Sequence, residues 1–424
     1  MDISEKRFLW QKAICEADFT LHNFPFGCGV LPNETAPRAL SAFGYYALDL
    51  EQAYRLGLLG QDEKLEKVLG QPYLNNFIAL GRSVAENVRD ALQQNLSLEN
   101  PSDPELSRKY PWMIPMDQVR MTLPVRVPNY TDFYSSLEHA TNLGRMFRPG
   151  GEPLLPNWRH MPIGYHGRAS SIVVSGTPIR RPWGQVMPEG AEKPVFSPTR
   201  LLDIELEFAF VVGQDTILGN PVPVDEAWDY IFGFVLFNDW SARDIQKWEY
   251  QPLGPFLGKN FGSTISPWIV TAGALEPFRT EGPTQEPEVL PYLRTQGPLN
   301  YDIELNVYLE APNAEPALIS VSNTRYLYWN AAQQLAHHTV NGCNIQVGDI
   351  YASGTISAPY RGGEGSLIEL TQKGTAPITL PDGSLRRFLE DGDTIHFRGY
   401  ASRGDVSLGF GLCSGQILQP LQLR

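Results

Sequence analysis

Sulfur is scarce in this chain: four cysteines in 424 residues, Cys15, Cys28, Cys343 and Cys413, with no CxxC among them. A small secreted fold stapled by disulfides needs a denser set, and a structural zinc site needs closer pairs. The reading is four isolated buried thiols in a reducing compartment. Long apolar runs are also missing. No stretch reaches the roughly 18 residues of a membrane-spanning helix, and the opening MDISEKRFLWQK has no apolar signal core. The expected location is the cytoplasm, with no membrane partner. Cationic charge is short as well, 34 Lys and Arg against 47 Asp and Glu, which argues against a nucleic-acid surface while leaving room for a local cationic pocket.

What remains is a globular composition, 42% apolar and 11% aromatic, long enough for two or three domains. Residues 73–97 carry Phe77, Leu80, Val84, Val88 and Leu92 at steps of three or four, which predicts one amphipathic helix. A polar, Pro-containing stretch follows at 99–105. Beyond Leu123 the texture changes to short apolar runs cut by some of the chain's 38 Gly and 35 Pro, a pattern of strands and turns rather than βα repeats. A domain boundary is expected near residue 124, giving segments 1–124 and 125–424.

Carboxylates supply the most informative pattern. In LLDIELEFAFVV (201–212) a strand's period of two sends Leu202, Ile204, Leu206, Phe208 and Phe210 to one face and Asp203, Glu205 and Glu207 to the other. A solvated acidic face is one reading, since buried neighbouring carboxylates are costly. The alternative is a metal site. GFVLFND (233–239) ends an apolar run in Asp239, and YTDFY (130–134) offers Asp132 in another β-prone run. Asp132, Glu205, Glu207 and Asp239 offer only oxygen donors, the preference of Ca²⁺ or Mg²⁺ rather than zinc.

Bases and cations stand close to these acids in sequence. Ser135 and Glu138 have capping-box spacing, so a helix is expected from Ser135 with His139 in its first turns, where the positive helix end favours a neutral imidazole. A surface histidine is the alternative. Arg243, Gln246 and Tyr250 share one face of a helix following Asp239, and Lys259 sits between glycines; an oxyanion pocket and an ordinary solvated face both fit. The adjacent His337 and His338 point about 100° apart on a helix and read as packing residues. His22, His160, His166 and His396 have no ligand partners at metal spacing.

Several long motifs occur in order: YTDFYSSLEHATNLGRMFR, LLPNWRHMPIGYHGRASSIVVSGTPIRRP, LLDIELE, NDWSARDIQKWEYQPLGPFLGK and GDIYASGTIS. Together they resemble the fumarylacetoacetate hydrolase family. The resemblance implies an α+β, β-rich fold, with a small SH3-like N-terminal barrel before a larger mixed β-sandwich or roll, and a homodimer. It also implies hydrolysis of a carbon–carbon bond in a small diketo acid. Carried over by motif, Ca²⁺ ligands fall on Asp132, Glu205, Glu207 and Asp239, the catalytic base on His139 and its orienting acid on Glu369. Arg243, Gln246 and Lys259 match the oxyanion group, and Tyr134, Arg148, Tyr165, Gln246, Tyr250 and Thr355 match substrate contacts. A Mg²⁺ site is implied at Asp239, Lys259 and Ser263, with serine where the family has threonine. Two rivals are a decarboxylase, hydratase or isomerase of the same superfamily, and a non-catalytic metal-stabilised binding protein.

Overall fold

The computed structural model of the protein describes residues 3–422. Its fold is mixed α/β and rich in strands, built on a 13-stranded sheet and a second sheet of five strands. The large sheet centres on two antiparallel strands, Leu206–Val212 and Ile231–Asp239. Phe208, Phe210, Phe234 and Leu236 belong to one core with Leu305, Phe397 and Phe410 of the five-stranded sheet. Ala209, Val211, Val235 and Phe237 belong to a second core with Phe77, Val88 and Leu92 from the N-terminal helices. Both faces are therefore covered, which is why these strands read as unbroken apolar runs.

Two sequence expectations are corrected here. The segment 201–212 is not one strand: Leu202–Asp203 pairs with Ser241–Ala242, and the long ladder begins only at Leu206. Its acids are not solvated either, since Asp203, Glu205 and Glu207 are all buried. The helix expected over 73–97 is two, Asn75–Ile78 and Arg82–Leu96. Gly81 stands between them at φ 100°, a left-handed turn that a side chain would resist. The buried face of the longer helix runs through Ala85, Val88, Leu92 and Leu96, while Leu80 and Val84 are only half-buried.

The N-terminal strands Phe26–Val30, Arg38–Phe43, Tyr46–Asp49 and Met113–Pro115 pair antiparallel in that order. Phe26 and Gly27 pair in turn with Ile269 and Trp268, so these strands continue the large sheet. A Cβ on Gly27 would lie 2.7 Å from the Trp268 ring, and this close approach requires glycine there. No strand pairing closes the segment into a barrel among the described residues. All four thiols are free, but only Cys28 and Cys413 are buried; Cys15 and Cys343 are half-buried.

Candidate active site

Four neighbouring strands bring the acids together. Tyr130–Phe133, carrying Asp132, runs parallel to Ile350–Ala352, which pairs with Leu206–Val212. Asp239 ends the strand on the other side, where Leu206 pairs with Asn238. Asn238 also fixes the break before that ladder, its side-chain oxygen accepting from the Glu205 amide at 3.2 Å. The result is that Asp132, Glu205, Glu207 and Asp239 each present a carboxylate oxygen within 4.8 Å of one another, and all four are buried.

Two of these acids have counter-charges and two do not. Glu205 accepts from Arg243 Nη1 at 2.8 Å and from the Lys259 ammonium, and Asp239 faces Lys259 at 3.0 Å. Burial pushes the Glu205 carboxyl up, but Lys259 and Arg243 outweigh it and bring it down to about 2. Asp239 is further held by Ser263 Oγ and the Tyr165 hydroxyl, each at 2.8 Å. By contrast, Asp132 Oδ1 and Glu207 Oε1 are buried with no hydrogen-bond partner. Burial, with the repulsion of neighbouring carboxylates, raises both of these groups well above the usual carboxylate range. Asp203 shares Arg243 with Glu205, so five buried carboxylates stand against two cations, a negative surplus that suits a divalent cation. Orphaned buried oxygens, an oxygen-only donor set and this surplus all fit such an ion.

A buried histidine, paired with a carboxylate, stands on a helix beside this cluster. Leu137–Phe147 is capped by Ser136, whose hydroxyl accepts from the His139 amide at 3.3 Å, so the helix starts one residue later than the capping-box spacing of Ser135 suggested. His139 Nδ1 lies 2.6 Å from Glu369 Oε2, and both side chains are buried. A carboxylate at that distance fixes the proton on Nδ1 and leaves Nε2 with a free lone pair. Glu369 also accepts from Asn142 (2.9 Å), Ser357 (3.0 Å) and Ser366 (2.5 Å). Burial raises its carboxyl, but His139 and these donors outweigh that and hold it below the usual range. Ser136 accepts from the Ser357 amide as well, so one hydroxyl ties the base's helix to the chain approaching Glu369.

Arg243 opens the helix Arg243–Glu249 and points into the site. Its Nε and Nη1 are bound to Asp203, Glu205 and Gln246 Oε1, while Nη2 is buried without a partner. With its oxygen engaged by Arg243, Gln246 keeps its amide as a donor. A buried cation with one free N–H group can receive an oxygen anion from a ligand.

The chain matches the fumarylacetoacetate hydrolase C-terminal family over residues 129–415 and the fumarylacetoacetase N-terminal family over 22–124. It is 48% identical over 410 residues to the fumarylacetoacetase of Homo sapiens, covering 96% of this chain and 97% of that one. Identity is 47% to that of Dictyostelium discoideum, over 95% of this chain and 96% of the relative. The chain belongs to the fumarylacetoacetate hydrolase family. A solved fumarylacetoacetate hydrolase from Exiguobacterium antarcticum superposes at a TM-score of 0.52 with 18% identity, over 93% of this chain and 99% of that one, a likeness of fold.

The substrate contacts implied by the fumarylacetoacetate hydrolase family are spread more widely. Tyr134 packs edge-on against His139, with ring centroids 5.3 Å apart, and Thr355 is buried with an unpartnered hydroxyl. Tyr165 is engaged by Asp239 and lines a cavity of about 340 Å³ with Asp239, Lys259 and Ser263. Tyr250 is exposed at the end of its helix, and Arg148 is exposed with its guanidinium on the Pro153 carbonyl. The structure brings neither of these two into contact with the carboxylates. Lys259 stands as a protonated counter-charge, which Asp239 and Glu205 hold against the opposite pull of burial.

Asn142, Ser136, Ser357 and Ser366 escape sequence reasoning, because their value lies in contacts up to 227 residues away. Tyr130, which faces the same acids, gave no signal beyond its place beside Asp132. His337 and His338 meet Tyr292 and Tyr351 as packing partners. His396 bonds Glu310 at 3.0 Å, a carboxylate 86 positions away that spacing could not reveal.

Proposed function

We infer that the protein hydrolyses the carbon–carbon bond of 4-fumarylacetoacetate, giving fumarate and acetoacetate, the closing step of tyrosine and phenylalanine breakdown. The observation that carries this reading is the buried His139–Glu369 pair beside four clustered carboxylates. His139 Nε2 takes a proton from water as the water adds to the ketone carbon on the fumaryl side. Glu369 keeps the imidazole aimed and stabilises the charge it acquires. Arg243, Gln246 and Lys259 receive the oxyanion of the adduct, Arg243 through its free Nη2. The bond to the methylene then breaks, and the protonated His139 returns a proton to the acetoacetate carbanion.

Asp132, Glu205, Glu207 and Asp239 would hold Ca²⁺, and such a cation supplies a hard acid that chelates a β-diketone and favours its enolate. A Mg²⁺ ion at the Asp239, Lys259 and Ser263 corner would have to draw on oxygens, because a protonated Lys259 has no lone pair to give. Tyr134, Arg148, Tyr165, Tyr250 and Thr355 are proposed substrate contacts; Arg148 and Tyr250 would need a substrate, or a second copy of the chain, to bring them in.

We also propose an SH3-like N-terminal module ending near residue 124, supported by the gap between the two matched segments. The same reading makes the protein a cytoplasmic homodimer, for which the exposed Trp248, Leu253 and Phe256 beside the site offer an apolar face. The test is loss of the diketone absorbance of fumarylacetoacetate, with and without chelator. A chelated protein that binds the substrate but never cleaves it after Ca²⁺ or Mg²⁺ is restored would refute the hydrolase.

A further inference from the structure

Asp203 belongs to the acid-rich segment 201–212 yet offers nothing to the carboxylate cluster. It is fully buried, and its two oxygens are taken by four donors. Oδ2 accepts from Arg243 Nε at 2.8 Å and from the Ile368 amide at 3.2 Å. Oδ1 accepts from the Leu367 amide at 2.7 Å and from the Ile204 amide at 2.8 Å. Leu367 and Ile368 open the short helix Leu367–Leu370, which presents Glu369. One side chain therefore holds the cation on one side of the site and the helix carrying the base's orienting acid on the other.

The backbone makes Asp203 suited to this. Its short strand pairs with Ser241–Ala242, directly before Arg243, so Asp203 and Arg243 leave adjacent strands at a fixed spacing. The Ser366 hydroxyl, just before the short helix, reaches forward to Glu369 rather than capping the helix amides. Those amides would lack a side-chain partner without Asp203, which sits 164 positions away from Leu367 in the chain.

We propose that Asp203 is a positioning residue that couples the oxyanion-binding Arg243 to the His139–Glu369 pair, an inference that rests on the hydrolase reading above. A carboxylate is required because four N–H donors converge on it. Asparagine keeps the shape but turns one acceptor into a donor, which must face either Arg243 or the helix amides. Glu369 and Arg243 then lose their common reference point while every group that would touch substrate is still present.

The experiment is a double-mutant cycle in the full chain loaded with Ca²⁺, using Asp203→Asn, Glu369→Gln and the pair. Asp203→Asn is expected to lower kcat at least tenfold, with KM changed by less than about threefold, as expected when contacts made in the transition state are weakened. Because Asp203 acts through Glu369, the double variant should be hardly slower than Glu369→Gln alone. A second readout needs no substrate: the low-field proton resonance of His139 Nδ1–H should shift or vanish in Asp203→Asn. Where Asp203→Asn does not fold, Asp203→Glu, which keeps the charge and moves the oxygens by one methylene, is put through the same cycle. Effects on kcat that simply multiply, or an unmoved proton resonance, would overturn the coupling. An inactive wild-type protein would instead overturn the hydrolase reading, and the resonance would still decide the role of Asp203.

Discussion

Loading the protein with a divalent cation should release protons, and the two unpartnered carboxyls at the site set how many. Glu205, held low by Lys259 and Arg243, enters the complex ionised, and Asp239 faces Lys259 as its ion-pair partner. Asp132 and Glu207 are the surplus pair, held well above the usual carboxylate range by burial and by neighbouring carboxylates. A cation needs both deprotonated, so up to two protons leave for each ion bound below their raised pKa values. Each proton gives a tenfold change in apparent affinity per pH unit, so the slope reaches about 10² per unit where both are protonated. The stability sign follows from the same shift. Raised carboxyl pKa values mean the metal-free fold binds protons more tightly than the unfolded chain. Their contribution to stability therefore declines as pH rises from the ordinary carboxylate range through the raised values, while the loaded protein escapes this decline. Calorimetric titration with Ca²⁺ in buffers of different ionisation enthalpy counts the protons directly. Binding that releases none above the ordinary carboxylate range, with an affinity independent of pH, would refute the assignment of Asp132 and Glu207 as the uncompensated ligands.

His139→Gln should leave metal content and unfolding temperature near wild type while kcat drops by roughly 10² to 10⁴; a normal kcat with a raised KM would make it a binding residue. Arg243→Ala should cost roughly 10² to 10³ in kcat, and rescue by excess Ca²⁺ or Mg²⁺ would show that the arginine serves only to balance carboxylate charge. Gly354→Ala should destabilise the fold markedly, since the backbone there has φ 76° and a Cβ would lie 2.2 Å from the Phe133 carbonyl oxygen; chemical unfolding measures the loss. His396 is pulled from 6.5 to about 4 by burial and by Arg7, so its own contribution to stability should fall as pH drops through that window, by up to about 1.4 kcal/mol per unit. Urea titrations of wild type and His396→Gln at several pH values should show the dependence flatten in the variant.

The four metal-site acids were legible as oxygen donors, because each lies in an apolar or β-prone run where a carboxylate is conspicuous. Their burial was not. Period two assigns faces, but it cannot tell that a second sheet and a layer of helices cover both of them. The same pattern grouped Asp203 with Glu205 and Glu207, and the break before Leu206 is what turns it toward Arg243 instead. The pairing of His139 with Glu369 came only from the family resemblance, since 230 intervening residues leave no periodic trace. The helix over 73–97 failed at Gly81, where apolar spacing runs straight across a residue whose φ forbids a continuous helix.

The strand Ile350–Ala352 lies between the strand of Asp132 and the strand that follows Glu205 and carries Glu207. Until it is in place, Asp132 has no ladder connecting it to the other three acids. On a ribosome, residues 132, 205, 207 and 239 all emerge long before residue 352, so the nascent chain carries all four acids before the strand that joins Asp132 to the other three. Cation capture and the arrival of Glu369 therefore become nearly simultaneous events late in synthesis. A chain interrupted anywhere before residue 350 would lack Asp132 at the acid cluster as well as Glu369, and weakened metal retention in stalled or truncated chains would report that this strand has not docked.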